Sequence, residues 1–504
     1  MEAQKIEIPK LFKEQYGHFI NNEWVAPASG EYFDNNCPID NSLIFKTARG
    51  NQEDVEKAIT AAANAFPAWS KTPAPARSAV LLKIAQVMED NIELLAKAEV
   101  VDKGKPMREA LLVDLPVAID NFRYFAGVIR AEEGGTSMQD EHTLQINQPE
   151  ALGPVGAIIA WNFPLLLFAW KVAPAIAAGC TIVVKTAEQT PAGANLLMDL
   201  LKEADAVPPG VINVVTGFGL EAGKPLAMSP NIAKISFTGE TATGRLILQY
   251  AAENIIPATM ELGGKSPNIF MPSIADKDDD FFDKCIEGAV MFAVNQGEAC
   301  TCPSRLFVHE DIYDKFMGRV VDRTKAIVQG DPFEMTTMMG AQASKDQYDK
   351  ILKYIEIGKQ EGAKVLCGGD ANSDGACDNG YFIQPTILEG NNKMKVFQEE
   401  IFGPVVCVTK FKTTEEVLEM ANDSIYGLAA AVWTRDAHEA FAMPRAIEAG
   451  RVWVNCYHAY PTHAAFGGFK KSGFGRENHK MALASFQRTK NIFQSNAQQK
   501  LGFF

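Results

Sequence analysis

The sharpest chemical feature of this sequence is the string NQGEACTCPSR, Asn295 to Arg305. Glycine and small residues surround two cysteines, Cys300 and Cys302, so the backbone there can approach a ligand closely. A thiolate attacks carbonyl carbon readily, which makes a cysteine in such a loop a candidate nucleophile. The competing reading is a buried structural thiol, because free cysteine also packs as a small apolar residue. A second string, MELGGKSPNIF, sets Glu261 just ahead of Gly263 and Gly264. A carboxylate at a strand end can project into a cleft as a general base, or it can be an ordinary turn glutamate at the surface. In AWNFPLL, Asn162 stands where a strand gives way to a helix opened by Pro164. An amide there can stabilise a developing oxyanion, or simply cap the helix. A fourth string, FTGETATG (Phe237 to Gly244), runs from an apolar strand into a helix, where glycines let backbone N–H groups face a phosphate. It is not G-x-G-x-x-G, and GFGLEAG (Gly217 to Gly223) is one residue too long for that fingerprint. A cysteine hydrolase needs a histidine base, and none of the seven histidines stands in a recognisable partner motif.

Behind these strings the pattern predicts an α/β protein. Residues 51–66, 77–99 and 109–130 carry apolar positions at helical spacing. From residue 153 short apolar runs alternate with helices: VGAIIA ending at Ala160, TIVVK at Lys185, VINVV at Val215 and AKISF at Phe237. Thr190-Pro191 reads as a helix start, a capping hydroxyl followed by proline. Such alternation implies parallel strands joined by right-handed crossovers, the doubly wound dinucleotide type. A second α/β region follows Glu261, with PNIFM, RLFVH, IQPTIL, VVCVTKF and RVWVN as strands and helices over 279–296, 310–326 and 344–361. Residues 136–151 and 484–504 are polar and extended, and are expected to pair as an exposed β-flap whose edge needs a partner chain.

Composition narrows the function. The chain has 504 residues and is 47% hydrophobic, enough for two or three structural units. A formal net charge of -14 argues against nucleic acid as a main partner, since phosphate binding needs a basic patch. Nine scattered cysteines do not form a disulfide framework. With no C-x-x-C pair and no H-E-x-x-H, no metal site is expected. The N-terminal MEAQKIEIPKLFKEQYG lacks an apolar signal core, and the apolar stretch Gly153 to Trp170 is interrupted by Pro154, Asn162 and Pro164. It reads as strand, loop and helix start rather than a membrane span, so a reducing, cytoplasmic setting is expected.

Taken in order, the strings resemble the aldehyde dehydrogenase superfamily, the NAD(P)-dependent kind, along nearly the full chain: WNFP at Trp161, VVKTAEQTP, FTGETATG, ELGGKSPN, NQGEACTCPSR, EEIFGPV at Glu399, YGLAAAVWT at Tyr426, VWVNCY at Val452 and FGGFKKSGFGRE at Phe466. NQGEACTCPSR and CYHAYPTHAAFGG look like the bacterial subgroup that includes acetaldehyde dehydrogenases. The resemblance implies a Rossmann-like cofactor domain (residues 1–130 and 152–261), an α/β catalytic domain (262–475) and an oligomerisation flap (131–151 and 476–504). It also implies residue roles. Cys300 matches the nucleophile and Cys302 an accessory position. Glu261 matches the water-activating base, and Asn162 the oxyanion amide acting with the Cys300 backbone N–H. Lys171 and Glu477 match a polar path near the base. For the cofactor, Lys185 and Glu188 match groups at the adenosine ribose, Gly239 and Glu240 the helix start under the pyrophosphate, and Glu400 and Phe402 the nicotinamide end. Trp161, Gly219, Phe237 and Leu262 belong to the same cofactor set. Two positions depart from the common pattern. Glu240 replaces a frequent serine, and its carboxylate should point to solvent or oppose a 2′-phosphate; Glu298 replaces a frequent glutamine and leaves the charge of the nucleophile loop open.

The implied activity is oxidation of a small aliphatic aldehyde, acetaldehyde above all, through a thioester on Cys300, with NAD as cofactor and a homodimer or homotetramer as the assembly. Bulky apolar positions Phe163, Trp170, Val294 and the Tyr457–Phe466 segment are candidates for the substrate wall, with ordinary core as the alternative. Two other readings stand beside this one. Transfer of the acyl group to CoA is opposed by Glu261, and a non-catalytic protein on the same fold is opposed by the joint presence of Cys300, Glu261 and Asn162.

Overall fold

The computed structural model describes residues 6–504. The first five residues, part of the N-terminal stretch discussed above, lie outside the described residues. Short apolar runs become strands buried on both faces: every residue of Thr181–Lys185 and of Lys234–Thr238 is buried, as parallel sheets covered by helices require. Five such strands pair in parallel in the spatial order Ile212–Val215, Thr181–Lys185, Pro154–Ile158, Lys234–Thr238, Ala258–Glu261. In chain order this is 3-2-1-4-5, the doubly wound arrangement. Strand order reverses between Pro154–Ile158 and Lys234–Thr238, and ligands of such sheets bind outside the carboxyl ends at that point. Antiparallel strands close both edges: His18–Ile20 with Glu23–Val25 on one side, Gly473–Phe474 on the other. Gly473–Phe474 lies in the segment assigned by sequence to the second unit, yet it pairs with Ala258–Glu261 of the first.

The long apolar stretch resolves as expected, into strand Pro154–Ile158, a turn, and helix Pro164–Ala178, every residue of which is buried. A helix apolar all round, here with the single buried charge of Lys171, is stable only when surrounded by protein. It ends at Gly179, whose φ of 95° is a left-handed cap that other residues adopt at a cost. Among the described residues, no helix is long and apolar enough to cross a membrane.

After Glu261 the chain passes directly into a seven-stranded sheet. Its order is Lys364–Cys367, Thr386–Glu389, Val405–Phe411, Arg305–His309, Pro267–Phe270, Ala429–Trp433, Arg451–Val454, parallel except for the first edge strand. The carboxyl ends of the first sheet thus lead toward the amino ends of the second, where the cysteine loop precedes Arg305–His309. The flap forms as expected, with Gly135–Met138, Thr143–Ala151 and Gln487–Ser495 antiparallel and Gln487 opposite Ala151.

Some local expectations need correction. The helix read over 77–99 is two, Ala74–Asp90 and Ile92–Lys103, broken at Asn91. The helix read from 109 begins with a π-turn, Ala110–Asp114, before Leu115–Val128. The helix read over 279–296 stops at Val290, because Asn295 and Gln296 take left-handed φ of 50° and 57° to turn the chain into the cysteine loop. Thr190 does not cap the helix after Pro191. Its hydroxyl donates to the Trp161 carbonyl, and the buried Asp102 carboxylate accepts the Ala192 N–H at 2.8 Å instead. The strands Gln15–Tyr16, Tyr32–Asn36 and Leu43–Ala48 were not foreseen, since runs this short and half-exposed carry little periodicity.

Candidate active site

At the switch point of the first sheet lies a cleft that gathers four of the strings named above. Asn162, Glu261 and Cys300 line it, together with Trp161, Gly239, Glu240, Leu262, Glu400 and Phe402. Each is delivered by a change of secondary structure. Trp161 and Asn162 follow Pro154–Ile158; Gly239 and Glu240 follow Lys234–Thr238; Glu261 ends its strand.

Asn162 is not a helix cap: Phe163 holds that position, and no side chain caps the helix. The Asn162 amide is buried and donates one N–H to the Glu298 carbonyl at 3.0 Å. An amide nitrogen carries two N–H groups, so one remains for a ligand oxygen. Glu261 is not a surface turn residue either. It is 6% exposed, and neither carboxylate oxygen has a hydrogen-bond partner. Burial pushes its carboxyl well above the ordinary range and the nearby Glu477 adds to this, against Lys171 and Arg476. Such a carboxylate is a stronger base than one in water. Lys171 and Glu477 do not line the cleft; they are buried and hydrogen-bonded to each other, with Glu477 tied to Phe466 by paired backbone hydrogen bonds.

Cys300 is partly exposed to the cleft, whereas Cys302 is buried with its thiol toward the Phe292 carbonyl at 3.7 Å. Burial raises the Cys300 thiol, and the carboxylates of Glu261 and Glu400 raise it further; backbone N–H groups of Thr301 and Cys300 itself pull the other way. Glu298, the departure in this loop, is buried rather than a free loop charge. Its Oε2 pairs with Lys103, and its Oε1 accepts the Ala343 N–H at 3.1 Å.

The remaining lining fits an extended dinucleotide. Thr238 offers a buried hydroxyl with no partner, and the Gly239 backbone is bare because the Phe237 ring lies beneath it. Phe237 is therefore a support buried in the sheet rather than a cleft residue. Glu240 opens helix Thr241–Ala252, is exposed, and makes no capping bond, as expected of a solvent-facing carboxylate. Glu400 accepts the Gly264 N–H at 2.9 Å, and burial raises its carboxyl to about 7. Phe402, at a left-handed φ of 61°, packs edge-on against Trp161 with ring centroids 5.1 Å apart. Lys185 and Glu188 lie off the cleft and pair with each other at 3.0 Å. Gly219 starts the π-turn Gly219–Gly223, whose far end approaches Lys185.

Much of the rest of the lining is apolar, beside Glu109, Asp114 and His458. Phe163, Trp170 and Val294 line the cleft as anticipated, with Tyr460 and Phe466 from the later segment. Tyr457 is instead core, its hydroxyl donating to the Thr301 carbonyl at 2.8 Å. Sequence reasoning missed Val113, Val117, Leu166 and Leu167 in this wall, and Gln347, which holds the Ile401 carbonyl at 3.2 Å behind Phe402. These residues sit on helices whose apolar periodicity is the same for core and for cleft, so no local signal marks them.

The profile of the aldehyde dehydrogenase family matches residues 24–492. The chain is 55% identical to a protein of Cupriavidus necator named acetaldehyde dehydrogenase 2, over 100% of this chain and 99% of that one. It is 56% identical to a long-chain-aldehyde dehydrogenase of an Acinetobacter species, over 98% and 97%. A solved aldehyde dehydrogenase of Bacillus cereus, determined as an NAD+ complex, superposes with a TM-score of 0.93 at 38% identity, covering 98% of this chain and 100% of that one.

Proposed function

The chain belongs to the aldehyde dehydrogenase family, and from that premise we propose that it oxidises a small aliphatic aldehyde, acetaldehyde foremost, to the carboxylic acid with NAD as hydride acceptor. The observation that carries this reading is that Cys300, Asn162 and the unpartnered Glu261 line one cleft, together with a largely apolar set of side chains and the Thr238–Gly239 backbone turn.

The Cys300 thiolate adds to the aldehyde carbon and drives the carbonyl electron pair onto oxygen. The free N–H of Asn162 and the Cys300 backbone N–H hold that oxyanion, an interaction that strengthens as charge develops. NAD, when bound, supplies the two-electron acceptor for the hydride leaving the same carbon. Gly239 and the start of helix Thr241–Ala252 would receive its pyrophosphate, and Glu400 and Phe402 its nicotinamide end. The acyl group stays on Cys300 as a thioester. Glu261 then takes a proton from water, the water oxygen attacks the thioester carbon, the C–S bond breaks, and the acid departs with the thiolate restored. Lys171 and Glu477 form the polar path behind Glu261.

The bulky rings of Phe163, Trp170 and Phe466, which line the same cleft as Cys300, favour small substrates over sugars or charged amino aldehydes. The three-part division at residues 131–151, 262 and 476 follows the same reading, except that Gly473–Phe474 goes with the first sheet it pairs with. Strand Gln487–Ser495 is an exposed sheet edge carrying Phe493 at 59% exposure, which supports pairing with a second copy in a homodimer or homotetramer. The test is NADH formation across aldehydes from two carbons to long alkyl chains, with and without CoA. Highest kcat/KM for the shortest aldehydes, independent of CoA, is expected. Turnover only with CoA, or a preference for long chains, overturns the respective part.

A further inference from the structure

Asn162 must hold its amide still for an oxyanion, and the residue holding it is not on its own strand. The Glu298 carbonyl accepts Asn162 Nδ2 at 3.0 Å and Asn295 Nδ2 at 2.9 Å, and Asn295 Nδ2 also donates to the Asn162 carbonyl at 3.0 Å. The three residues close a ring of hydrogen bonds around one carbonyl. The side chain of the same residue is fully buried, with one oxygen on the Ala343 N–H and the other on Lys103 Nζ, while its backbone N–H donates to the Asn295 carbonyl at 2.9 Å. Lys103 ends helix Ile92–Lys103, is fully buried, and places its ammonium 5.7 Å from the ring centroid of Trp161, the residue before Asn162. It therefore touches both sides of the joint, the cysteine loop and the segment that carries the amide.

We propose that Lys103 is a positioning residue for the aldehyde oxidation, acting through Glu298 to fix the Asn162 amide at the oxyanion position. The inference rests on the cysteine mechanism above. The neighbouring Lys105 is committed to Asp114 and Glu99, and the nearby Glu109 carboxylate accepts the Asn295 N–H at 2.9 Å. Removing Lys103 alone leaves a buried carboxylate without a counter-ion, which is strongly unfavourable. The side chain must then protonate or turn away, and turning rotates the carbonyl that holds Asn162. A neutral amide at 298 needs no cation and keeps an acceptor for Ala343.

The test compares wild type with Lys103→Met, Lys103→Met/Glu298→Gln and Lys103→Met/Glu298→Ala. Three quantities are read: the rate of the first-turnover NADH burst, the rate at which iodoacetamide alkylates Cys300, and NAD affinity by fluorescence. Alkylation displaces iodide and forms no oxyanion, so it reports the thiol without Asn162. Lys103→Met is expected to slow the burst by ~10²-fold, the usual effect of losing one oxyanion donor, with alkylation and NAD affinity unchanged. The Gln double variant recovers most of the burst rate; the Ala double variant, lacking an acceptor for Ala343, stays slow. An unchanged burst in Lys103→Met, a parallel loss of alkylation, or no recovery with Gln overturns the proposal. If Lys103→Met does not fold, the two double variants decide: Gln fast and Ala slow supports it, equal rates overturn it. Absence of a burst or of Cys300 alkylation in wild type would instead overturn the cysteine mechanism.

Discussion

A side-chain carbon on Gly263 would lie 2.1 Å from Glu400 Oε2, so the carboxylate of one string occupies the space that a side chain of the other would fill. The adjacent Gly264 donates its N–H to Glu400 Oε1, and a carbon there would lie 2.4 Å from the Cys300 carbonyl. The two glycines after Glu261 thus exist for close approach. They let the strand ending in Glu261, the cysteine loop and the Glu400 carboxylate meet in one place.

Gly263→Ala is accordingly expected to displace Glu400, whose end can swing, rather than unfold the protein. The KM for NAD rises ~10-fold, equivalent to ~1.4 kcal/mol for one lost charge-assisted contact, while alkylation of Cys300 stays near wild type. Steady-state kinetics with varied NAD checks this; an unchanged KM removes Glu400 from the cofactor site.

Cys300→Ser is expected to reduce oxidation by ~10⁴-fold or more, because a serine alkoxide is far harder to form than a thiolate. Cys302→Ser keeps substantial activity, since that thiol is buried against the Phe292 carbonyl outside the cleft. Normal turnover by the Cys300 variant sinks the assignment.

Glu261→Gln keeps shape and loses basicity. Deacylation slows by ~10²–10⁴-fold, leaving a burst of NADH followed by slow turnover. In wild type the deacylation rate should climb with pH beyond the ordinary carboxylate range, because burial and Glu477 hold the Glu261 carboxyl high and only its ionised form accepts a proton. Rapid-quench measurement of the acyl-enzyme across pH reads both. Loss of the burst with hydrolysis intact would mean that Glu261 acts on the thiol.

NAD is expected to be preferred over NADP. Glu188 sits 3.0 Å from Lys185 and partly neutralises the cation that a 2′-phosphate would seek. A like-charge contact with the phosphate costs ~1–2 kcal/mol at a partly exposed site. Glu188→Gln should therefore narrow the ratio of kcat/KM values for the two cofactors. An unchanged ratio assigns the preference elsewhere.

His458, which lines the cleft, is expected to make the protein less stable in acid. Burial pushes its pKa down from 6.5 to about 4. The folded protein thus favours the neutral ring, and its contribution is present above 6.5 and lost as pH falls from there toward 4. The loss is at most ~3 kcal/mol. Urea denaturation at several pH values should show wild type losing stability on acidification faster than His458→Gln; parallel curves contradict it.

Much of this site was legible because its chemistry is local. Cys300, Glu261 and Asn162 stand beside glycines or prolines at strand ends, and those breaks in periodicity mark places where backbone can meet ligand. The apolar runs that became four of the five parallel strands carried their own burial in their composition. The left-handed turn at Asn295 and Gln296 was not legible, because helix periodicity runs smoothly into it and only contacts elsewhere hold the strained backbone. Glu298 and Glu240 show the division most clearly. Both are glutamates in a loop at a strand or helix end, identical to any reading by residue type, yet one is exposed and the other wholly buried against Lys103.

The sequence by itself determined the α/β layering, the flap pairing, the family and the residues capable of the chemistry, since each depends on residue type and short-range spacing. Only the tertiary structure decided which of those residues share a cleft, that Phe237 and Tyr457 support rather than line it, and that the charge at Glu298 is neutralised from a helix nearly two hundred positions earlier. The reason is physical: burial and ion pairing are properties of the space between elements, and Lys103 meets Glu298 only after both sheets have packed.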